Sequence, residues 1–506
     1  MLQGLVLALS PAALFWTAVG VLAGMVIGSL PGLTATMGVA LLVPFTFGLP
    51  PLDGLAMLGA LYVCAMFSDS IPAVLVNTPG TPAALTTAFD GHQLALQGKA
   101  QHAIVASSFS AMLGAVFGGL AFLFLAGPLG AIGLKFGPPE YFWVGIFAVT
   151  IIGSMSGDSL AKGVAGAAIG MLVSTIGLSP TGNVARFTFG NPALIGGISD
   201  VAALVGVFAI PQAISMAVDR RTRHVVAEYR PKRGVVGEVV REVLGKPFHL
   251  LRSAVIGTII GILPGAGSVV AALVSYNEAV RWGGPNSKFG KGDIRGVTAS
   301  EVANNAAAPA SMIPLMTLGY PGSAPAAVIA GALLMRGLDP GPSLFSGNTA
   351  LVYAFAGTMT MSGIITYAFG SVLSPFIARM VSAPIRFLVP IVIFLATIGS
   401  FAIRNNMIDV YFTIGIGIFA YIMGKLGFKP GPIGLGLILG PIVEPALVQS
   451  IAMSGASSLT HVFFGSTVDI IVASLTALSL IWVFVSRLPR APQARTAMAD
   501  SAESDN

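Results

Sequence analysis

Twice in this chain an apolar run is broken by proline beside glycine, and the breaks come in the same order each time. Leu30-Pro31-Gly32 is followed by Ile71-Pro72, Asn77-Thr78-Pro79-Gly80 and Thr81-Pro82; Leu263-Pro264-Gly265 is followed by Ile313-Pro314, Tyr320-Pro321-Gly322 and Ser323-Ala324-Pro325. Proline removes a backbone donor and clashes with the preceding turn, while glycine opens conformations closed to other residues, so a helix must stop at each pair. In hydrocarbon an unpaired backbone group costs several kcal/mol, and a broken helix survives only where protein or a water-filled cavity surrounds it. Paired breaks at matching places in two halves point to a transporter binding site.

The apolar runs are membrane segments, because 55% of the 506 residues are hydrophobic, only 9% are charged and the mean hydropathy is +0.87. The 63 glycines and 33 prolines fit interrupted, tightly packed membrane helices rather than a solvated chain. A single cysteine, Cys64, excludes an internal disulfide or a cysteine metal cluster. The net charge of +6 lies in loops beside apolar segments and reads as membrane topology, not as a nucleic-acid surface. The first basic residue is Lys99, so the first apolar run lacks a signal peptide's basic flank and is expected to be permanent.

The fold class expected is an all-α polytopic membrane protein built from two internal repeats, inverted relative to each other, with re-entrant or broken helices at the Pro-Gly motifs. Residues 1–218 form the first repeat, 219–252 a basic cytoplasmic linker, 253–486 the second repeat and 487–506 a polar cytoplasmic tail. Full spans are expected near 102–126, 141–156, 160–178, 193–218, 345–378, 385–401, 408–424, 431–452 and 462–485. Sidedness comes from charge: 219–252 carries Arg220, Arg221, Arg223, Arg230, Lys232, Arg233, Arg241, Lys246 and Arg252, and Arg281, Lys288, Lys291 and Arg295 follow after one short broken segment. That segment, 253–280, is too short to cross twice and is expected to enter and leave on the cytoplasmic side. The loop after the matching hairpin in the first half, 50–53, has no basic residue, which favours inversion.

Ionisable residues in apolar context are few: Asp69, Asp158, Asp200, Glu301, Arg404, Glu444 and Asp469. Such groups are costly in a membrane and mark function or interfaces. Glu301 is the first candidate for the coupling ion, because Asn305 four residues on shares its helix face, and Asp69 is the second. Asp158 reads as a loop residue, and Arg404 as an anion contact or a snorkelling side chain. The five histidines show no metal-ligand spacing, and no Gly-x-x-x-x-Gly-Lys-Ser/Thr loop occurs, so energy would have to come from a gradient.

The chain resembles the large membrane subunit of the bacterial tripartite tricarboxylate transporters. The resemblance is carried by Leu30-Pro31-Gly32-Leu33-Thr34-Ala35-Thr36-Met37-Gly38-Val39-Ala40, Asn77-Thr78-Pro79-Gly80-Thr81-Pro82-Ala83-Ala84, Phe89-Asp90-Gly91-His92, Leu263-Pro264-Gly265-Ala266-Gly267, Glu301-Val302-Ala303-Asn304-Asn305-Ala306-Ala307-Ala308 and Leu318-Gly319-Tyr320-Pro321-Gly322-Ser323. It covers roughly residues 15 to 450. Met66-Phe67-Ser68-Asp69 and Pro309-Ala310-Ser311 depart from it, where the family is small and glycine-rich. The resemblance implies secondary active uptake of a di- or tricarboxylate across the bacterial inner membrane, coupled to sodium or protons, with a small membrane subunit and a periplasmic solute-binding protein as partners. No cofactor and no enzyme activity are implied.

With so little arginine inside the membrane, such an anion would be held by backbone N–H groups at helix N-termini, each interaction worth about 0.3 to 1 kcal/mol. Asn77, Thr78, Gly80, Thr81, Asn304, Asn305, Gly322 and Ser323 are the substrate-site candidates, with helix caps as the plainer reading of each. The carbonyls around Pro31, Gly32, Pro264, Gly265 and Gly267 suit sodium, with Thr34, Thr36, Ser268, Asn277, Asp69 and Glu301 as side-chain candidates. Moving one charge through 100 mV involves about 2.3 kcal/mol, so a trianion entering a negative-inside cell meets roughly 7 kcal/mol and needs co-transported cations. Two rivals remain: an uncoupled organic-anion channel, and an intramembrane enzyme using Asp69 and Glu301 as a carboxylate pair.

Overall fold

A computed structural model of the chain describes all residues except 31, 78–80, 155–158, 180–183, 219–228, 230–231, 266, 285, 381–384, 455–457 and 487–506. Through residue 218 the helices are α1 (Leu2–Ala8), α2 (Pro11–Ser29), α3 (Ala35–Thr46), α4 (Pro51–Ser68), α5 (Ser70–Val76), α6 (Pro82–Leu96), α7 (Ala100–Gly133), α8 (Pro138–Ser154), α9 (Leu160–Ser174) and α10 (Asp200–Val218). Next come α11 (Val235–Leu244), α12 (Pro247–Ile262), α13 (Gly267–Arg281), α14 (Ile294–Ala310), α15 (Met312–Leu318), α16 (Ala324–Leu334) and α17 (Pro342–Gly347). The last are α18 (Thr349–Met380), α19 (Ile385–Arg404), α20 (Met407–Lys425), α21 (Pro430–Met453), α22 (Leu459–Phe463) and α23 (Thr467–Ser486).

This is the all-α polytopic membrane fold that the composition requires. Among the described residues seven helices are long and apolar enough to cross a membrane, or eight if α11 and α12, bent by 77°, count as one span. The expected span at 193–218 begins only at Asp200, because Pro192–Leu194 makes a single 3-10 turn and Gly197 turns the chain at φ +71°. The expected span at 160–178 ends at Ser174; Gly177, at φ +123°, opens a two-residue antiparallel pair with 185–186, a feature the helical pattern gives no hint of.

At the two Leu-Pro-Gly motifs the described glycines do what their chemistry dictates. Gly32 takes φ +87° between α2 and α3, and Gly265 takes φ +75° between α12 and α13. The kinked pairs α4–α5 and α14–α15 end on left-handed residues, Asn77 at φ +51° and Gly319 at φ +82°, conformations that asparagine and glycine tolerate best. The helices that follow restart on hydroxyl caps: Thr81 Oγ1 accepts from Ala84 N (3.4 Å) and Ser323 Oγ from Ala326 N (3.3 Å). Both local courses therefore run alike, from kinked helix through left-handed cap to capped helix.

Small residues set the packing. A Cβ added at Gly20, Gly24 or Gly28 of α2 would lie 2.2, 2.5 or 2.6 Å from the Met57, Leu61 and Ala65 carbonyl oxygens of α4. At Gly257 and Gly261 of α12 it would meet the α14 backbone at Ala303 (2.4 Å) and Ala307 (2.7 Å). This spacing of small residues lets membrane helices approach backbone to backbone. With α7 closing from the other side through Gly114 and Gly118, α14 is buried from Gly296 to Ala310. The α4–α5 pair is buried from Gly54 to Val76. Polar side chains on these two elements therefore face protein, not lipid.

Candidate functional site

The two buried elements carry the polar residues singled out in the sequence and bond them across the halves. Asn304 of α14 donates its amide to the Met66 carbonyl of α4 (2.9 Å). Thr87 of α6 donates to Glu301 Oε1 (2.6 Å) and lies 2.8 Å from the Ser300 hydroxyl. Tyr62 of α4 bonds Ser323 (3.1 Å), and Ser323 also lies 3.1 Å from Ser311. Ser70 links α5 to Ser107 of α7 (2.6 Å), which lies near Glu301. Asp69, at the α4–α5 kink, accepts from the Thr81 hydroxyl and is close enough to act electrostatically on Glu301.

Asp69, Glu301, Asn304 and Asn305 are each at most 1% exposed. Asn305 donates to the Glu301 carbonyl (3.1 Å) and to Glu301 Oε2 (3.3 Å), which is the shared helix face expected from their spacing. The Met66 and Glu301 carbonyls can only accept, so they fix both amides: NH₂ groups point at protein, oxygens away. Those oxygens, Asn304 Oδ1 and Asn305 Oδ1, are buried without a partner among the described residues, as is Asp69 Oδ1. An unsatisfied buried polar atom costs about 1–3 kcal/mol, so each of these three acceptors asks for a donor or a cation.

Other candidates fall in different places. Gly322 joins the two predicted sets: its carbonyl accepts from Gly265 N (3.1 Å) and its N–H donates to the Ser311 carbonyl (3.2 Å). An added Cβ there would stand 2.7 Å from the Gly261 carbonyl oxygen, so only glycine fits. Thr34 caps α3 through Met37 N (3.2 Å). Gly32 faces Gln212 and Met216 of α10, away from the carboxylates. Ser268 is buried and Asn277 is exposed, so the structure does not bring them together. Gly267 takes φ +63° at the start of α13, two residues on from Gly265. Pro31, Thr78, Gly80 and Asp158 lie outside the described residues.

Arg404 is paired with Asp409, and Glu444 with Arg186, so both are structural ion pairs. Asp90 accepts from Gly292 N (2.9 Å), Asp293 N (2.8 Å) and Tyr276 (2.9 Å), clasping α6 to the loop before α14. In that loop burial would push the Asp293 carboxyl up, but hydrogen bonds from Arg295 outweigh it and hold it down to about 2. An apolar crevice of about 400 Å³, between α9, α10, α20 and α21, carries no charged side chain and is separate from the polar centre. Among the described residues no group of three His, Cys, Asp or Glu side chains is placed to hold a metal ion.

Sequence reasoning missed Tyr62, Ser70, Thr87, Ser107, Ser300 and Ser311. Their signal was hydroxyls inside apolar runs, as in Thr86-Thr87 and Ser107-Ser108-Phe109-Ser110.

Broken helices interlocked around a buried polar centre define a multi-pass membrane protein of the transporter kind. The chain belongs to the tripartite tricarboxylate transporter TctA family, which matches residues 14–435. It is 33% identical over 482 residues, 95% of this chain and 94% of the relative, to the 52.8 kDa protein of the TAR-I ttuC' 3' region of Agrobacterium vitis. A protein of the TAR-II ttuC' 3' region of the same organism is 35% identical over 233 residues, 46% of this chain and 94% of that relative. No solved structure matches. The family makes the chain a membrane component of a tricarboxylate transporter, and a tripartite system implies a small membrane subunit and a periplasmic binding protein.

Proposed function

We propose that this chain is the permease of a secondary active carboxylate uptake system in the bacterial inner membrane, fed by a periplasmic binding protein and driven by sodium or protons. The observation that carries the reading is the buried polar centre: two kinked elements, one from each half, bonded to each other and leaving three bare acceptor oxygens. Oxygens attract cations and repel carboxylates. In this reading Asn304, Asn305 and Asp69 therefore belong with Glu301 on the coupling-cation side, since a hard cation takes carbonyl, amide and carboxylate oxygen. The carboxylate is left to the α6 N-terminus and the Asn77–Thr81 loop, where Asn77 is exposed. Tyr320–Ser323, the matching stretch, is buried while Asn77 is exposed, a difference in access of the kind alternating access between inverted repeats would use.

The test is the sign of the ligand. Asn304→Asp and Asn305→Asp keep an oxygen and add negative charge; Asn304→Leu and Asn305→Leu remove it. Stabilisation by sodium, read as the rise in melting temperature of the purified protein, is expected to persist in the Asp variants and vanish in the Leu variants. If the Leu variants kept sodium stabilisation but lost stabilisation by a carboxylate, the two amides would belong to the anion instead.

A further inference from the structure

The 77° bend between α11 and α12 encloses a pocket of about 540 Å³, distant in character from the polar centre. Lys246, Phe248, His249 and Arg252 form one wall; Trp282 and Arg295 belong to the other. Three cations line it, and they are not equivalent. Arg295 is neutralised by Asp293, with Nε 2.9 Å from Oδ1, and its Nη1 donates to the Gly283 carbonyl (3.2 Å). Arg252 has no carboxylate among the described residues: Nη2 lies 3.3 Å from His249 Nδ1, the guanidinium sits 5.9 Å from the Trp282 ring, and Nε is buried with no partner among them. His249 Nε2 faces the Arg295 carbonyl (3.1 Å), which can only accept, so the ring proton is on Nε2 and Nδ1 accepts from Arg252. The neutral imidazole thereby aims Arg252 into the pocket. Lys246 is exposed and makes no ion pair among the described residues. Glu278, the nearest carboxylate on α13, is already bonded to Arg281 and to the Trp282 indole (3.1 Å).

Arg252 is half-buried, and its Nε is a cationic donor that finds no acceptor among the described residues; leaving such a donor unmet is costly, so the pocket suits an anion. Its surroundings say which kind. Phe248 is 86% and Trp282 71% exposed, beside exposed Leu244 and Leu251. Aromatic and aliphatic side chains bracketing free basic groups, where a short amphipathic helix turns into an apolar one, are the features of a membrane interface. We propose that this pocket binds the phosphate of an anionic phospholipid from the leaflet beside the basic 219–252 segment, with Lys246 and Arg252 on the phosphate and the acyl chains beside Phe248 and Trp282. Pockets of Lys and Arg between membrane helices recognise headgroups in this way.

A free phosphate ion offers the same charge, so the experiment separates the two sources. The full-length protein is purified in detergent and mixed with phosphatidylglycerol or phosphatidylcholine, and retained lipid is counted by native mass spectrometry, with and without millimolar inorganic phosphate. Phosphatidylglycerol is expected to be retained, phosphatidylcholine not, and phosphate not to compete. Lys246→Gln with Arg252→Gln is expected to lower retention by on the order of tenfold, while Arg252→Lys keeps most of it. Because Lys246 is exposed, Lys246→Gln alone cannot act by unfolding the chain and is expected to weaken retention too. Equal retention of the two lipids, unchanged retention in the double variant, or displacement by inorganic phosphate would each overturn the lipid assignment.

Discussion

Glu301 accepts from the Thr87 hydroxyl of α6 and the Asn305 amide of its own helix, with the Ser107 hydroxyl of α7 close by. Among the described residues no lysine or arginine is paired with it, so the carboxyl group is free to meet a travelling cation. Glu301→Gln keeps the size of the side chain and removes that charge. Hydrogen bonds to charged groups are worth about 1.5–3 kcal/mol, so uptake at subsaturating cation is expected to fall roughly 10- to 100-fold with membrane insertion intact. Unaltered cation dependence would remove Glu301 from the coupling site. The Glu301–Asn305 pairing was legible because spacing by four puts two residues on one helix face. The direction of the Asn305 amide was not, since it depends on where the Glu301 carbonyl lies in three dimensions. Thr87 and Ser107 were hidden for a related reason: they reach Glu301 from helices far away in sequence, and periodicity says nothing about which hydroxyl in an apolar helix finds a distant partner.

At the scale of elements, packing is set by which glycines face a backbone. An added Cβ at Gly118 of α7 would lie 2.3 Å from the Ala306 carbonyl oxygen of α14, whereas Gly237 of α11 has open space around it. Gly118→Ala must push α7 off α14 and is expected to cost about 1–3 kcal/mol. Gly237→Ala relieves a helix of its most flexible residue and is expected to gain about 0.5–1 kcal/mol. Melting temperatures of the two purified variants should move in opposite directions; a shift of the same sign would contradict this account of the packing. The breaks themselves were plain in the sequence, because Pro-Gly admits few backbone outcomes and both halves adopt them. The amphipathic α11 sits inside a stretch whose basic charge dominates its composition, yet Val235, Val239 and Val243, all buried, carry the period of a helix.

In the whole molecule the residues that follow the two kinked helices differ in access, Asn77 being exposed and Tyr320 fully buried. The native Cys64 is also buried and gives no background to thiol labelling. In the conformation described here Asn77→Cys is expected to react with a polar maleimide and Ser323→Cys to be protected; the reverse pattern would place the opening on the other loop. Composition alone settled the membrane class, whereas the joining of the halves through Tyr62–Ser323, Asn304–Met66 and Thr87–Glu301 needed the folded chain. The central claim is that these interlocked elements couple a cation to a carboxylate. It is tested most directly by uptake in proteoliposomes holding this chain with its small membrane subunit, supplied with labelled di- and tricarboxylates on the periplasmic binding protein, under imposed sodium or proton gradients. Saturable accumulation is expected, driven by one of the two gradients and lowered roughly 10- to 100-fold by Glu301→Gln at subsaturating cation. Flux that ran equally without either gradient would contradict it and make the protein a channel.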